Sequence, residues 1–198
     1  MIRALAAALA ATALAGCSLL SSPDPVQLYR FGDMSPGQGA AAGAAPVTLS
    51  RIEFPAAAGG DRVLSTNGVT AAYLAGARWV SPAEQLFRDS LTAAFLRDAR
   101  RTRLVERREL ARGETGLDVE VMSFESRYLD GAEAAPTVVL HARARLVAFP
   151  ERTVTAERTF QVERRASENR VSAIVAAYDA AVAEFNGQLV GWVDATAG

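Results

Sequence analysis

The sequence predicts an α+β domain of two layers: one mixed, mostly antiparallel sheet with two main helices packed on one face. Three observations carry this expectation. Segments that alternate apolar and polar residues recur between residues 26 and 163, the period of half-buried strands. Two other segments space their large apolar residues three and four apart, the period of an amphipathic helix. A one-faced sheet and two one-striped helices bury their apolar surfaces most simply against each other.

Residues 1–16 stand apart from that domain. Arg3 is the only charged side chain before Asp24, and residues 4–15, ALAAALAATALA, are apolar throughout. The run is shorter than the roughly 20 residues that span a bilayer. A basic start, a short apolar stretch and small residues before a cut make a secretory signal peptide. It ends in Leu14-Ala15-Gly16-Cys17, which resembles the lipobox of bacterial lipoproteins. That resemblance implies cleavage between Gly16 and Cys17. It also implies diacylglycerol on the Cys17 sulfur and a further acyl chain, such as palmitate, on the new amine. The chain has one cysteine, so a disulfide or a multi-thiolate metal site is unavailable, and alkylation accounts for the solitary thiol. Stable anchoring needs more than one membrane signal, with each buried methylene adding about 0.8 kcal/mol. Ser18 in place of an aspartate implies the outer membrane, on its periplasmic face. The alternative is an ordinary signal peptide with an incidental cysteine.

The mature chain then divides into a lipidated tether, 17–24, and a single domain, 25–198. In PVQLYRFG (25–32), Val26, Leu28 and Arg30 alternate with Gln27 and Tyr29, a first strand. SPGQGAAAGAAP (35–46) is a surface loop; it lacks the lysine and strand-to-helix setting of a phosphate-binding loop. VTLSRIEFP (47–55) is a second strand, stopped by Pro55. RVLSTNG and VTAAYLAGARWV bracket Asn67-Gly68, a hairpin-turn dipeptide. A helix follows over about 82–100, with Ser81 as N-cap, Pro82 at its first position and Glu84 closing a capping box. Phe87, Leu91, Ala94 and Phe95 form its buried stripe. LVER (104–107) is a short strand.

In GLDVEVMSF, Leu117, Val119 and Val121 share one face and Asp118, Glu120 and Met122 the other. Phe124 breaks the phase, which predicts a bulge near Ser123. DGAEAAP (130–136) is a turn. TVVLHARARLVAF and RTVTAERTFQVER form a hairpin around Pro150 whose inward residues are even-numbered on both strands. Paired numbers should therefore sum to 300 or 302, which puts Glu157 opposite Arg143 or Arg145. Arg158 is a misfit on the inward face of the second strand. The last helix carries Val171, Ile174, Val175, Tyr178, Ala181, Val182, Phe185, Leu189 and Trp192 at helical spacing. Asn169 or Ser172 is its expected cap. Gly187 and Gly191 inside it imply either close packing on the sheet or fraying.

Composition excludes more than it assigns. The 21 basic residues are all arginine, against 22 acidic ones. Removal of residues 1–16 leaves 182 residues with a net charge of −2, no footprint for nucleic acid. Arg100, Arg101, Arg103, Arg107, Arg108 and Arg112 cluster, but Asp98, Glu106, Glu109 and Glu114 are interleaved with them, which reads as a solvated helix end. The single histidine, His141, points away from the apolar face of its strand, and no Gly-x-Ser-x-Gly elbow is present. Asp118 and Glu120 share a strand face and are the one candidate carboxylate pair. Trp79 and Trp192 read as core or interface residues. No catalytic residue, metal site or cofactor is assigned.

Several segments together resemble one family. They are Cys17 in its lipobox, the early LYRF strand, and ARWVSPAEQLFRDSL running from strand into helix. LDVEVMSFE, HARARL, TFQVE and a terminal helix ending in LVGW follow in order. The chain is similar to the ABC-type transport auxiliary lipoproteins, the paraquat-inducible protein C-like group of outer-membrane lipoproteins. The resemblance implies an accessory subunit, not an enzyme. Its partners would be outer-membrane lipid through acylated Cys17, a periplasmic mammalian-cell-entry-domain protein and an associated permease and ATPase; self-association stays open. Such systems move phospholipid or other hydrophobic molecules between the inner and outer membranes. The alternatives are an assembly factor for another outer-membrane complex and a lipid-anchored periplasmic hydrolase. No residue is assigned to the partner interface.

Overall fold

A computed structural model describes residues 26–35, 37, 39, 42–105 and 115–198. In chain order the elements are β1 (Gln27–Tyr29), β2 (Ala45–Glu53), β3 (Arg62–Asn67), β4 (Thr70–Trp79), α1 (Ala83–Asp98), β5 (Thr102–Val105), β6 (Thr115–Arg127), β7 (Thr137–Ala148), β8 (Thr153–Arg165) and α2 (Val171–Ala197). The strands join in one mixed sheet, and the two helices pack on it and on each other. The α+β two-layer architecture is as expected.

β6 organises the sheet. Along one edge it pairs antiparallel with β7, which pairs antiparallel with the edge strand β8. Its other edge is shared. Residues 115–120 of β6 run parallel to β2, which carries β5, while Ser126 and Arg127 run parallel to β3, which carries β4 and then β1. The sheet is therefore a ribbon on one side of β6 and a fork on the other. The β6–β7 register steps between Val121 and Ser123. Met122 is the extra residue, and the bulge turns Phe124 back into the core, as its phase required.

Even-numbered residues of β7 from Val138 to Leu146 are buried, and they face α2. Leu146 pairs with Ala156 and Arg145 with Glu157, the register of sum 302. On β8 only Phe160 and Val162 are deeply buried; Val154 is half exposed. Arg158 lies on this edge strand with its guanidinium 5.0 Å from the centre of the Phe160 ring. An inward-pointing charge on an edge strand is tolerated there, and it opposes unwanted edge-to-edge pairing.

Several local expectations are corrected. β1 excludes Val26, and Val26 and Leu28 are both about half exposed, while Tyr29 and Phe31 pack inward. The β3–β4 turn comprises Gly68 and Val69, since Asn67 still pairs with Thr70. Gly68 carries the positive φ of 58°, which glycine adopts without a Cβ clash. α1 ends at Asp98, so Arg100, Arg101 and Arg103 lie in the following turn and β5 rather than on a helix end. Arg107, Arg108 and Arg112 are outside the described residues.

Neither helix uses its expected cap. No Ser81–Glu84 capping box forms. The N–H groups of Ala83 and Glu84 donate instead to the carbonyls of Gly60 (2.9 Å) and Gly59 (3.2 Å) in the β2–β3 loop. α2 begins after Arg170 without a side-chain cap. Asn169 is occupied elsewhere: its amide donates to the Ala132 carbonyl and its oxygen accepts the Tyr128 hydroxyl. Gly187 and Gly191 are on the exposed side of α2, where an added Cβ would meet no neighbour. They serve no close packing, and the helix continues past both.

Candidate interaction surface

Most of the aromatic side chains pack in or against the core. Trp79 is 2% exposed and meets Phe31 (4.9 Å between centroids) and Tyr178 (5.3 Å) edge-on. Tyr178 is fully buried and donates its hydroxyl to the Leu64 carbonyl at 3.0 Å. Burial pushes its pKa far up, so it stays neutral. Trp192 packs at 6.0 Å against Phe160. Both tryptophans thus fill the interface between α2 and the sheet and are not arranged to stack a ligand.

The sheet face away from the helices is polar and charge-compensated. Glu120 accepts from Arg143 at 2.5 Å and lies 3.6 Å from Arg145, which also binds Glu157 at 2.7 Å. The hydrogen bond from Arg143 holds the Glu120 carboxyl below its ordinary value. A carboxylate kept ionised this way is a poor general acid, a role that needs a raised pKa. Asp118 sits opposite Arg145 in the register and Glu120 opposite Arg143. His141 lies between Ser123 and Gln161 on the same face. The structure therefore places Asp118, Glu120 and His141 on one face, with Glu120 held in a cross-strand network of ion pairs with Arg143 and Arg145.

Beside this face, where β2 leaves β6, is an open cleft of about 720 Å³. Ile52, Phe54, Pro55, Glu84 and Met122 contribute to its walls. Phe54 closes its floor against Phe87 and Phe124, with centroids 5.3 and 5.5 Å away. Among the described residues no group of three or more His, Cys, Asp or Glu side chains is placed to hold a metal. No helix among them is long and apolar enough to cross a membrane.

Two polar clamps escaped the sequence analysis. Asp194, near the end of α2, accepts from the backbone N–H groups of Arg100, Arg101 and Thr102 and from the Thr102 hydroxyl. Burial alone would raise its pKa, but these hydrogen bonds outweigh burial and hold it low. An acidic residue in the last turn of a helix opposes the helix dipole, and that anomaly is the signal that was available. The second clamp joins the helices: buried Asn186 donates to the Ser90 hydroxyl at 3.2 Å, and Ser90 donates to the Phe87 carbonyl at 3.0 Å.

The fold is a two-layer α+β domain with an ion-paired open sheet face. Its wider class follows from comparison with known proteins. The family model for the ABC-type transport auxiliary lipoprotein component matches residues 29–190, and the chain belongs to that family. It is accordingly an auxiliary component associated with transport systems, not an enzyme. No curated protein matches the chain in sequence. Among solved structures, protein XCC0632 from Xanthomonas campestris is 21% identical, with 86% of this chain and 96% of that one covered and a TM-score of 0.67. A second, described only as an uncharacterized protein, is 18% identical, covering 86% and 99%, with a TM-score of 0.62. At these identities the likeness concerns the fold. Gly16 and Cys17 lie outside the described residues.

Proposed function

We propose that the chain is a lipid-anchored accessory subunit that docks the periplasmic part of an ABC-type, mammalian-cell-entry transport system at the outer membrane. The system would move phospholipid or another hydrophobic molecule between the two membranes. The observation that carries this reading is the family match over residues 29–190, preceded by Leu14-Ala15-Gly16-Cys17. Acylated Cys17 would hold the protein to the periplasmic face of the outer membrane, and residues 25–198 would form the docking domain. The partners would be a mammalian-cell-entry-domain protein and its permease and ATPase. A protein that contributes position rather than chemistry fits a surface on which the candidate acid Glu120 is ion-paired to Arg143.

Two measurements test the reading. Cys17→Ser should abolish incorporation of labelled fatty acid and leave an uncleaved or unanchored precursor; unchanged detergent partitioning of the variant would refute lipidation through this sulfur. The intact lipoprotein, captured from detergent-solubilised membranes, should retain a mammalian-cell-entry protein. Recovery with a different outer-membrane assembly would instead favour an assembly factor.

A further inference from the structure

One end of the domain gathers its most exposed large apolar side chains. β3 and β6 run parallel there, with Thr66 beside Arg127, and the Tyr128 N–H donates to the Thr66 carbonyl at 2.8 Å. Each strand then enters a turn. Val69 at the β3–β4 tip is fully exposed, and Leu129 at the start of the β6–β7 connection is 70% exposed. Asp130 pairs with Arg165 at 2.9 Å and Arg127 with Glu125 at 2.7 Å; with the exposed Glu133 beside Tyr128, this end carries charges of both signs.

The entry of the chain selects the same end. β4 starts at the tip and runs away from it; β1 runs parallel to β4, with Gln27 opposite Ala77. The chain therefore reaches β1 from the side of the tip. β4 bulges between Tyr73 and Arg78, so its stretch from Thr70 to Arg78 stands against only Arg62–Asn67 of β3, five residue steps or about 17 Å at ~3.3 Å per residue. Cys17 precedes Val26 by nine residues, whose greatest reach is about 30–32 Å. A lipid on Cys17 can thus lie level with the tip or beyond it.

We infer that this end of the domain rests on the lipid surface that holds Cys17, with the Val69 and Leu129 side chains entering the layer between headgroups and acyl chains. The inference depends on the acylation proposed above. Burial of an apolar protrusion in that layer gives it a favourable transfer from water and fixes the orientation of an otherwise swivelling domain. The charged sheet face and the free edge of β8 would then stand across the surface, open to a periplasmic partner.

Acylation consumes the only native thiol, so a single introduced cysteine can be labelled alone. The full-length lipoprotein would carry an environment-sensitive fluorophore at Val69→Cys, Leu129→Cys or Val154→Cys. Val154 is about half exposed and lies beside Val147 at the opposite end of β7. Each protein would be reconstituted into phosphatidylethanolamine–phosphatidylglycerol vesicles with brominated acyl chains. The expected result is flotation of all three with the vesicles, loss of fluorescence at positions 69 and 129, and none at 154. Flotation without quenching at 69 and 129, or with equal quenching at 154, overturns the orientation while the anchor stands. Failure to float overturns acylation and the orientation together.

Discussion

Replacing Asp194 by asparagine perturbs the joint between α1 and β5 without changing side-chain size. One carboxylate oxygen accepts from the Thr102 N–H (2.9 Å), the Thr102 hydroxyl (2.5 Å) and the Arg101 N–H (3.3 Å); the other accepts from the Arg100 N–H (2.7 Å). An asparagine can keep the first set, but its NH₂ then confronts the Arg100 N–H, donor against donor. Hydrogen bonds to a charged group contribute about 1.5–3 kcal/mol each when buried. Asp194 is only partly buried, so solvent takes part of this; loss of the Arg100 bond, the donor–donor conflict and the loss of charge in the remaining bonds together should cost about 2–4 kcal/mol. With a urea slope of about 2 kcal/mol/M, the midpoint should fall by roughly 1–2 M. The pH dependence has a definite sign. The folded pKa is depressed below 3.8, so the native state binds this proton less readily than the unfolded state. The stabilisation is present in full above the unfolded value of about 3.9 and is lost as pH falls through the lower folded value. The gap between wild type and Asp194→Asn should therefore be constant from pH 7 to about 5 and shrink below pH 4. Urea titration followed by Trp79 and Trp192 fluorescence measures both. A loss under about 0.5 kcal/mol, typical of an ordinary surface substitution, or a gap that persists to pH 3, would refute the reasoning.

Phe185 is fully buried, with Phe87 and Phe160 at 5.3 and 5.6 Å, so Phe185→Ala should cost about 3–5 kcal/mol in the same titration; a loss below about 1 kcal/mol would show that the site collapses or is not core. Glu157→Arg replaces an exposed partner of Arg145 and should change stability by less than about 1 kcal/mol. Its informative readout is capture of the transport partner: binding lost at unchanged stability would place the open sheet face in the interface, whereas intact binding would leave it as a solvated face.

Wherever a side chain's own neighbours in the chain decide its burial, the sequence alone determined the outcome. Alternation in residues 117–124 named the inward face of β6 and required the bulge that Met122 supplies. The even-numbered apolar positions of β7 and β8 reduced their register to two values, one of which puts Glu157 against Arg145. The stripes of α1 and α2 located both helices because periodicity is a local record of a one-sided environment. Cys17 was legible for a different reason, since its signal is read as a linear string. Tertiary structure decided what depends on backbone partners brought from afar. The shared edge of β6 joins β2 and β3 by parallel pairing across intervals of about sixty to seventy residues, with no turn between them to mark it. The helix caps changed for the same reason: Ser81 and Glu84 were locally suitable, but the Gly59 and Gly60 carbonyls arrived at the N-terminus of α1 and satisfied its N–H groups first. Asp194 reaches back more than ninety residues to hold the turn before β5. The Val69–Leu129 end likewise exists only because parallel β3 and β6 finish together. A backbone carbonyl or N–H is the same group in every residue type but proline, which has no N–H, so composition and spacing carry no mark of which distant one will be its partner.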